Sequence, residues 1–179
     1  VVGLDYSNPH LDPYMEFQRL KTHPAVSSIL EGGKRISYGA RALNEGGYQS
    51  IPRLIFPGGA LIGCGAGFMN VPKIKGAHTA MKSGMVAAES VFEALSEEGQ
   101  DDGLLENYLQ NLRASWVYKE LYKVRNIRPG FHLGLWAGMI NAALETYLFR
   151  GKMPWTLGYK GDHNTLKKAS QCKKIDYPK

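Results

Sequence analysis

Residues 61–89 read LIGCGAGFMNVPKIKGAHTAMKSGMVAAE, and within them Gly63, Gly65 and Gly67 alternate directly behind a short apolar run, Ala60, Leu61 and Ile62. Glycines in series let main-chain N–H groups approach a ligand that a Cβ would hold away. Further on, an Ala-, Gly- and Met-rich helix is predicted to open near Gly76. A helix start offers unpaired N–H groups and a positive dipole end to an electron-rich atom. That pairing suits a phosphate, a ribityl chain or a flavin carbonyl. Taken by itself, a Gly-x-Gly-x-Gly stretch is more often just a tight turn between a buried strand and a packing helix.

Few other residues bring chemistry of their own. Cys64 lies on the glycine turn, where a lone cysteine is usually a small residue and not a redox thiol. His78, at the predicted helix start, reads as a hydrogen-bonding structural residue before it reads as a base. His10, His23, His132 and His163 are isolated, with no ligand spacing among them. Cys64 and Cys172 stand far apart, so neither a metal site nor a disulfide framework is implied, and a reducing compartment is the default. Arg41 can pair with Glu45 and fix the Asn44-Glu45-Gly46-Gly47 turn.

At 179 residues and 44% apolar content, the chain is long enough for one sizeable core or two small ones. Val1-Val2-Gly3-Leu4 reads as the middle of a strand, and neither an initiator Met nor a signal peptide opens the sequence, so an internal or truncated piece is expected. The net charge of +6 is unevenly placed, with Lys119, Arg125, Arg128, Arg150, Lys167 and Lys174 among the cations of the final third. No aromatic-interleaved stretch or recognition-helix pattern accompanies them, which argues against nucleic acid as a partner. An anionic membrane face or an acidic protein fits better.

The elements follow from punctuation and period. Residues 1–5 read as a strand end, and helical spacing of Met15, Phe17 and Leu20 predicts a helix over 14–21, closed by His23-Pro24, with a short helical turn over 25–30. Residues 34–42 alternate enough for a strand, and brief strands are predicted at 54–56 and 60–63. The clearest helix spans about 76–95. Its Ala77, Ala80, Met81, Gly84, Met85, Ala88, Phe92 and Leu95 recur at spacings of three and four, a narrow face expected to lie on a sheet. An acidic linker, 96–103, leads to a second helix over about 104–126 with Asp102 as its cap.

Residues 131–149, FHLGLWAGMINAALETYLF, are almost long enough to cross a bilayer, yet Asn141 and Glu145 interrupt them. Trp136, Tyr147 and Trp155 favour an interface, and Arg125, Arg128, Arg150 and Lys152 flank the segment with positive charge. Either an ordinary core helix or a helix lying in the membrane surface fits this pattern; a transmembrane helix does not. From Met153 onward the chain is basic and without clear period.

The stretches ISYGARALNEGGYQSIPRLIFPGG and GFMNVPKIKGAHTAMKSG, with VVGLDYSNP, SWVYKELYKVRNIRP and PWTLGYKG around them, make this chain resemble the electron-transfer-flavoprotein:ubiquinone oxidoreductase family over essentially its whole length. The resemblance implies a mixed α/β (α+β) fold, part of a glutathione-reductase-like FAD domain interwoven with a quinone-binding region and a membrane-surface helix. It implies residues 1–52 in the ubiquinone-binding region, 53–98 as the returning segment of the FAD domain, 99–155 as the helical membrane-contacting quinone region, and 156–179 as a basic linker toward an iron–sulfur domain. Gly63, Cys64, Gly67 and Phe68 would lie along the ribityl chain and pyrophosphate, with Asn70, Val71, Gly76 and Thr79 near the isoalloxazine ring. Where the wider flavoprotein class has a Gly-Asp pair, this chain has Gly63-Cys64, so the ribityl contact must come from backbone or from elsewhere.

The membrane and quinone surface would comprise Phe131, Leu133, Leu135, Trp136, Met139, Ile140, Leu144, Tyr147, Leu148, Phe149 and Trp155. No side chain is expected to be catalytic, because the redox chemistry is the cofactors'; Glu45 as a proton carrier for quinone reduction is a minority reading. The implied cofactors are FAD and a [4Fe–4S] cluster, but neither a Gly-x-Gly-x-x-Gly fingerprint nor a cysteine cluster occurs here, so this chain alone is expected to be inactive. Implied partners are electron-transfer flavoprotein, ubiquinone and a membrane surface held monotopically, on the matrix face of the inner mitochondrial membrane or the cytoplasmic face of a bacterial one. Alternatives are a FixC-like or geranylgeranyl-reductase-like flavoprotein and a non-catalytic peripheral membrane-docking module.

Overall fold

The first two helix starts in this chain are set by side chains that satisfy the first free amides. Asp12 caps the first helix (α1, Pro13–Lys21) by accepting from the amides of Tyr14 and Met15 at 2.8 and 3.2 Å, and Pro13 occupies the first turn, where its missing N–H costs nothing. His23 does the same for the second (α2, Pro24–Leu30) through its ring nitrogen, 3.2 Å from the Ala25 amide. The computed structural model that carries these details describes residues 2–96 and 104–178. Residues 97–103 of the expected acidic linker, the expected Asp102 cap and the first residue of the expected 1–5 strand lie outside the described residues.

The chain divides into two compact units, Val1–Ala40 with Lys160–Lys179, and Arg41–Tyr159. In the first, the basic tail is ordered by contact with the start of the chain. Lys167 N–H donates to the Ser7 carbonyl and Thr165 Oγ1 to that of Asp5, both at 2.9 Å, while Tyr177 donates its hydroxyl proton to Glu16 on α1 at 3.0 Å. Neither residues 2–5 nor 34–42 form the expected strands. Alternation alone makes a strand only where a neighbouring backbone completes the ladder, and Ile36 stands 96% exposed with none beside it.

The second unit holds the hydrophobic core, in which Leu54, Ile55, Ala66, Phe68, Val86, Tyr108, Leu112, Val117 and Leu121 pack together. Its sheet is a hairpin of β1 (Ile55–Phe56) and β2 (Gly59–Ala60), in register Ile55 to Ala60 and Phe56 to Gly59. Pro57 and Gly58, the latter at φ +76°, supply the turn. The strand expected over 60–63 therefore ends at Ala60, although the Leu61 amide still reaches the Leu54 carbonyl at 2.8 Å. The expectation of mixed α and β holds in coarse form, but helix dominates the described residues.

The long helix α3 (Ala77–Ser96) stands where it was expected, with the opposite face inward. Thr79, Ser83, Val86 and Ser90 are buried, whereas Met81, Met85, Phe92 and Leu95 are exposed. Small side chains let the helix approach the glycine turn closely, and the Ser83 hydroxyl accepts from the Gly63 amide at 2.9 Å. The helix expected over 104–126 is broken into α4 (Glu106–Ala114) and α5 (Trp116–Lys123). Ser115, extended at ψ 165°, ends one and caps the other through its Oγ, which accepts from the Val117 amide.

Residues 131–149 are likewise not one helix. Short α6 (Ile127–Gly130) runs into a 3₁₀ turn (Phe131–Leu133), Gly134 interrupts at φ +100°, and α7 (Leu135–Ala143) continues as a π-helical turn (Leu144–Leu148). The widened turn delivers Glu145 to the interior, fully buried beside Arg125 at 3.9 Å and Asn126 at 3.5 Å, with its Oε2 lacking a hydrogen-bond partner. Arg125 gives its guanidinium protons to the carbonyls of Tyr122, Gly151, Met153 and Trp155 and to Thr156 Oγ1, and lies 3.7 Å over the Tyr122 ring. The Asn141 amide donates to the Asn126 carbonyl at 2.9 Å.

Two outcomes follow from this packing. Leu112→Ala should lower unfolding free energy by about 2–5 kcal/mol through the cavity it leaves. Tyr108→Phe should cost about 1 kcal/mol by orphaning the Leu61 carbonyl, which the Tyr108 hydroxyl meets at 2.8 Å. Urea denaturation followed by circular dichroism measures both. Burial pushes the Glu145 carboxyl above its ordinary 4.5, against the opposing effects of the Asn126 hydrogen bond and the Arg125 charge. The folded form then holds the proton more tightly than the unfolded chain, so this contribution is full below the unfolded value and is lost as pH rises through the folded one. Glu145→Gln should remove that loss, its urea midpoint gaining on the parent's as pH rises above the ordinary carboxylate range. A gap independent of pH would contradict this.

Candidate flavin loop and apolar surface

The glycine turn is a backbone cradle. Gly63 and Gly67 take φ +62° and +83°, the left-handed region that a Cβ makes costly, and bracket a 3₁₀ turn (Gly63–Ala66). The turn closes on itself, Gly67 N–H to the Cys64 carbonyl at 3.0 Å and Phe68 N–H to that of Gly63 at 3.3 Å. A Cβ on Gly65 would meet nothing within 4 Å, so its backbone borders open space. Cys64 is half-buried, a free thiol.

Several residues predicted around a ligand turn their side chains into the protein. The Phe68 ring is wholly buried in the core. Asn70 is fully buried too, and its backbone pairs with Lys75 across the 71–74 turn, in which Ile74 adopts φ +52°. A β-branched residue there is strained by about 1–3 kcal/mol. Thr79 gives its hydroxyl proton to the carbonyls of Phe68 and Gly76, at 2.6 and 2.9 Å. These bonds seat α3 on the loop, and Gly76 packs on Met69. Val71 stays half-buried. The first α-helical bond runs from Ala80 N–H to the Gly76 carbonyl, so the amides of Ala77, His78 and Thr79 precede it. What this arrangement can offer a ligand is main chain: glycine backbone on one side and a helix start on the other.

Sequence reasoning missed the residues that hold this loop from behind. Glu120 on α5 receives, at a single Oε1, Asn70 Nδ2 at 2.7 Å, His78 Nε2 at 3.0 Å and Lys73 Nζ at 3.2 Å. One turn earlier on α5, Trp116 stacks on the His78 ring, centroids 5.6 Å apart and planes 7° from parallel. Burial acts to raise the Glu120 pKa, but the hydrogen bonds from His78, Asn70 and Lys73 and the Lys73 charge outweigh it, and the carboxyl is held below its ordinary value. The i, i+4 spacing of Trp116 and Glu120 was the available signal, without a partner in sequence to give it meaning. Glu45 also differs from expectation. Its ion partner is Arg128, at 3.9 Å, and not Arg41, which is exposed.

On the 131–155 stretch, Phe131, Leu133, Leu135, Trp136, Met139, Ile140, Leu144, Tyr147, Leu148 and Trp155 are exposed. Phe149 is half-buried with its ring edge-on to Trp155 at 6.3 Å. The two polar interruptions face inward, Glu145 and Asn141 both meeting Asn126. The outer surface is therefore apolar and aromatic. No helix among the described residues is long and apolar enough to cross a membrane, and none of their His, Cys, Asp and Glu side chains group to hold a metal ion.

Comparison with known proteins converges on one family. Residues 1–43 match the model described as ETF-QO, ubiquinone-binding. Over its full length the chain is 61% identical to the mitochondrial electron transfer flavoprotein-ubiquinone oxidoreductase of Sus scrofa and 60% identical to that of Homo sapiens, covering 30% of each. The Dictyostelium discoideum protein of the same name is 56% identical and is covered over 32% of its length. The chain thus spans about a third of the length of the relatives that it matches. From one end to the other, the sequence matches a part of the electron transfer flavoprotein-ubiquinone oxidoreductase family.

Proposed function

We propose that this chain is part of an oxidoreductase that takes electrons from reduced electron-transfer flavoprotein, by way of a [4Fe–4S] cluster and FAD, and delivers them to ubiquinone at a membrane. The observation that carries the flavin assignment is the backbone cradle of Gly63 and Gly67, both left-handed, facing the start of α3. FAD bound there would supply the electron-carrying chemistry. The chain's own part is to bind and to bias. Main chain at Gly63, Cys64, Gly67 and Phe68 would hold the ribityl and pyrophosphate portion. Asn70, Val71, Gly76 and Thr79 would border the ring through backbone, the side chains of Asn70 and Thr79 being engaged elsewhere. The positive end of α3 would favour negative charge on the ring. Cys64 and Cys172 are the only cysteines, so the ligands of a four-iron cluster would lie outside this chain, and no step is drawn through it.

By the same reading residues 1–52 help bind ubiquinone, supported by the family match over 1–43. Residues 53–98 return to the FAD domain, 99–155 dock on the membrane, and 156–179 lead toward the iron–sulfur domain. The relatives' mitochondrial label supports an inner-membrane site, with monotopic attachment through the apolar surface of residues 131–155.

Two measurements test this reading in the full-length protein. Gly67→Val should abolish stoichiometric FAD, because a β-branched residue is strained at φ +83°; normal flavin absorbance in a folded variant would refute the cradle. Leu135→Glu with Leu148→Glu, at positions 62% and 67% exposed, should release the protein from liposomes and slow quinone reduction while flavin content holds. Each apolar side chain lost from the bilayer is worth about 1.5–3 kcal/mol, so partitioning should fall at least tenfold. Unchanged partitioning would move the membrane contact elsewhere.

A further inference from the structure

The side chains behind the glycine loop are organised around one carboxylate that the flavin reading does not use. Asn70 and Lys73 belong to the strained 70–75 turn, His78 to the first turn of α3, and Glu120 to a helix some forty residues on; all three donors end on the same Glu120 oxygen. Trp116 covers the His78 ring from the same side of α5. Because Val117 and Leu121 anchor α5 in the core, the position of this carboxylate is fixed by packing and not by the loop itself.

We propose that Glu120 is the positioning residue of the flavin loop: from α5 it sets where the 70–75 turn and the first turn of α3 stand, and it places a fixed negative charge behind the amides that would face the flavin. The inference rests on the flavin reading. Without Glu120, the Asn70 amide and the His78 ring lose their shared acceptor in a partly buried place, and the turn held at φ +52° by Ile74 has less to keep it strained. The charge acts separately from the shape. A carboxylate near the loop opposes electrons arriving on the flavin, and the Lys73 ammonium beside it, more than half exposed to water, only partly offsets it.

The two effects separate in variants of the full-length flavoprotein. Glu120→Gln keeps an acceptor of the same shape and removes the charge, so FAD content should stay near the parent's while the flavin midpoint potential moves to more positive values. Glu120→Ala removes both, and FAD affinity should fall about tenfold, the loss expected of a charge-assisted hydrogen bond. Equilibrium dialysis reads the affinity, and spectroelectrochemical titration reads the potential. A purely structural bracket would leave the potential of Glu120→Gln where the parent has it, and that result overturns the proposal. If the alanine variant does not fold, the glutamine variant alone decides. Failure of the underlying reading would look different, since the unsubstituted full-length protein would then carry no FAD, which also removes the inference.

Discussion

The buried guanidinium of Arg125 is the constraint on which the larger unit's second half depends. Its chain carbonyl partners come from the end of α5 and from residues 151–155, two stretches with no ladder or helix in common. A charge taken out of water must be met by well-placed acceptors, so those carbonyls are gathered around one side chain. Asn126, the next residue, extends the same arrangement by bonding the Trp155 carbonyl, the Leu157 amide and Glu145. Because α7 and its π turn are tied to this knot through Asn141 and Glu145, their polar groups are spent inward. An apolar face is what remains outside. Two features that look separate in sequence, a basic residue after a helix and polar interruptions in an apolar run, are thus one interaction.

The glycine loop is held by a different principle. Its conformation comes from left-handed glycines and short internal bonds, and its place comes from small polar residues on α3 and from Glu120 on α5. Serine and threonine on the buried face of α3 do what larger apolar residues could not. They let the helix sit close to the turn and satisfy loop groups at Gly63 and Phe68 that would otherwise be buried without partners. The open side of the turn, at Gly65, is then left with main chain.

Much of this was legible beforehand. The helix over 14–21, the helical turn over 25–30, the brief strand at 54–56 and the extent of α3 all follow from local chemistry, since each depends on residues within a turn or two of one another. The long motifs around the glycine loop carried the family resemblance, because they fix many positions together. Less legible were segments whose period was right and whose surroundings were unknown. Residues 34–42 alternate like a strand but meet no neighbouring backbone, and 104–126 has helical spacing on both sides of Ser115, whose side chain both ends and starts a helix. The Met and Phe stripe of α3 has the spacing of a core face, yet the serine and threonine face is the buried one.

By itself, then, the sequence determined the local conformations, the left-handed turns that only glycine adopts cheaply, and membership of a recognisable set of motifs. Each of these is decided by the backbone sterics and hydrogen-bonding reach of near neighbours. Only the tertiary structure decided which face of α3 is inside, that Glu145 and Asn141 point away from the apolar surface, and that Asn70, Lys73 and His78 share one carboxylate. Those outcomes turn on desolvation. A polar side chain goes where a partner from a distant part of the chain can meet it, and no periodicity in the sequence says where that partner will be.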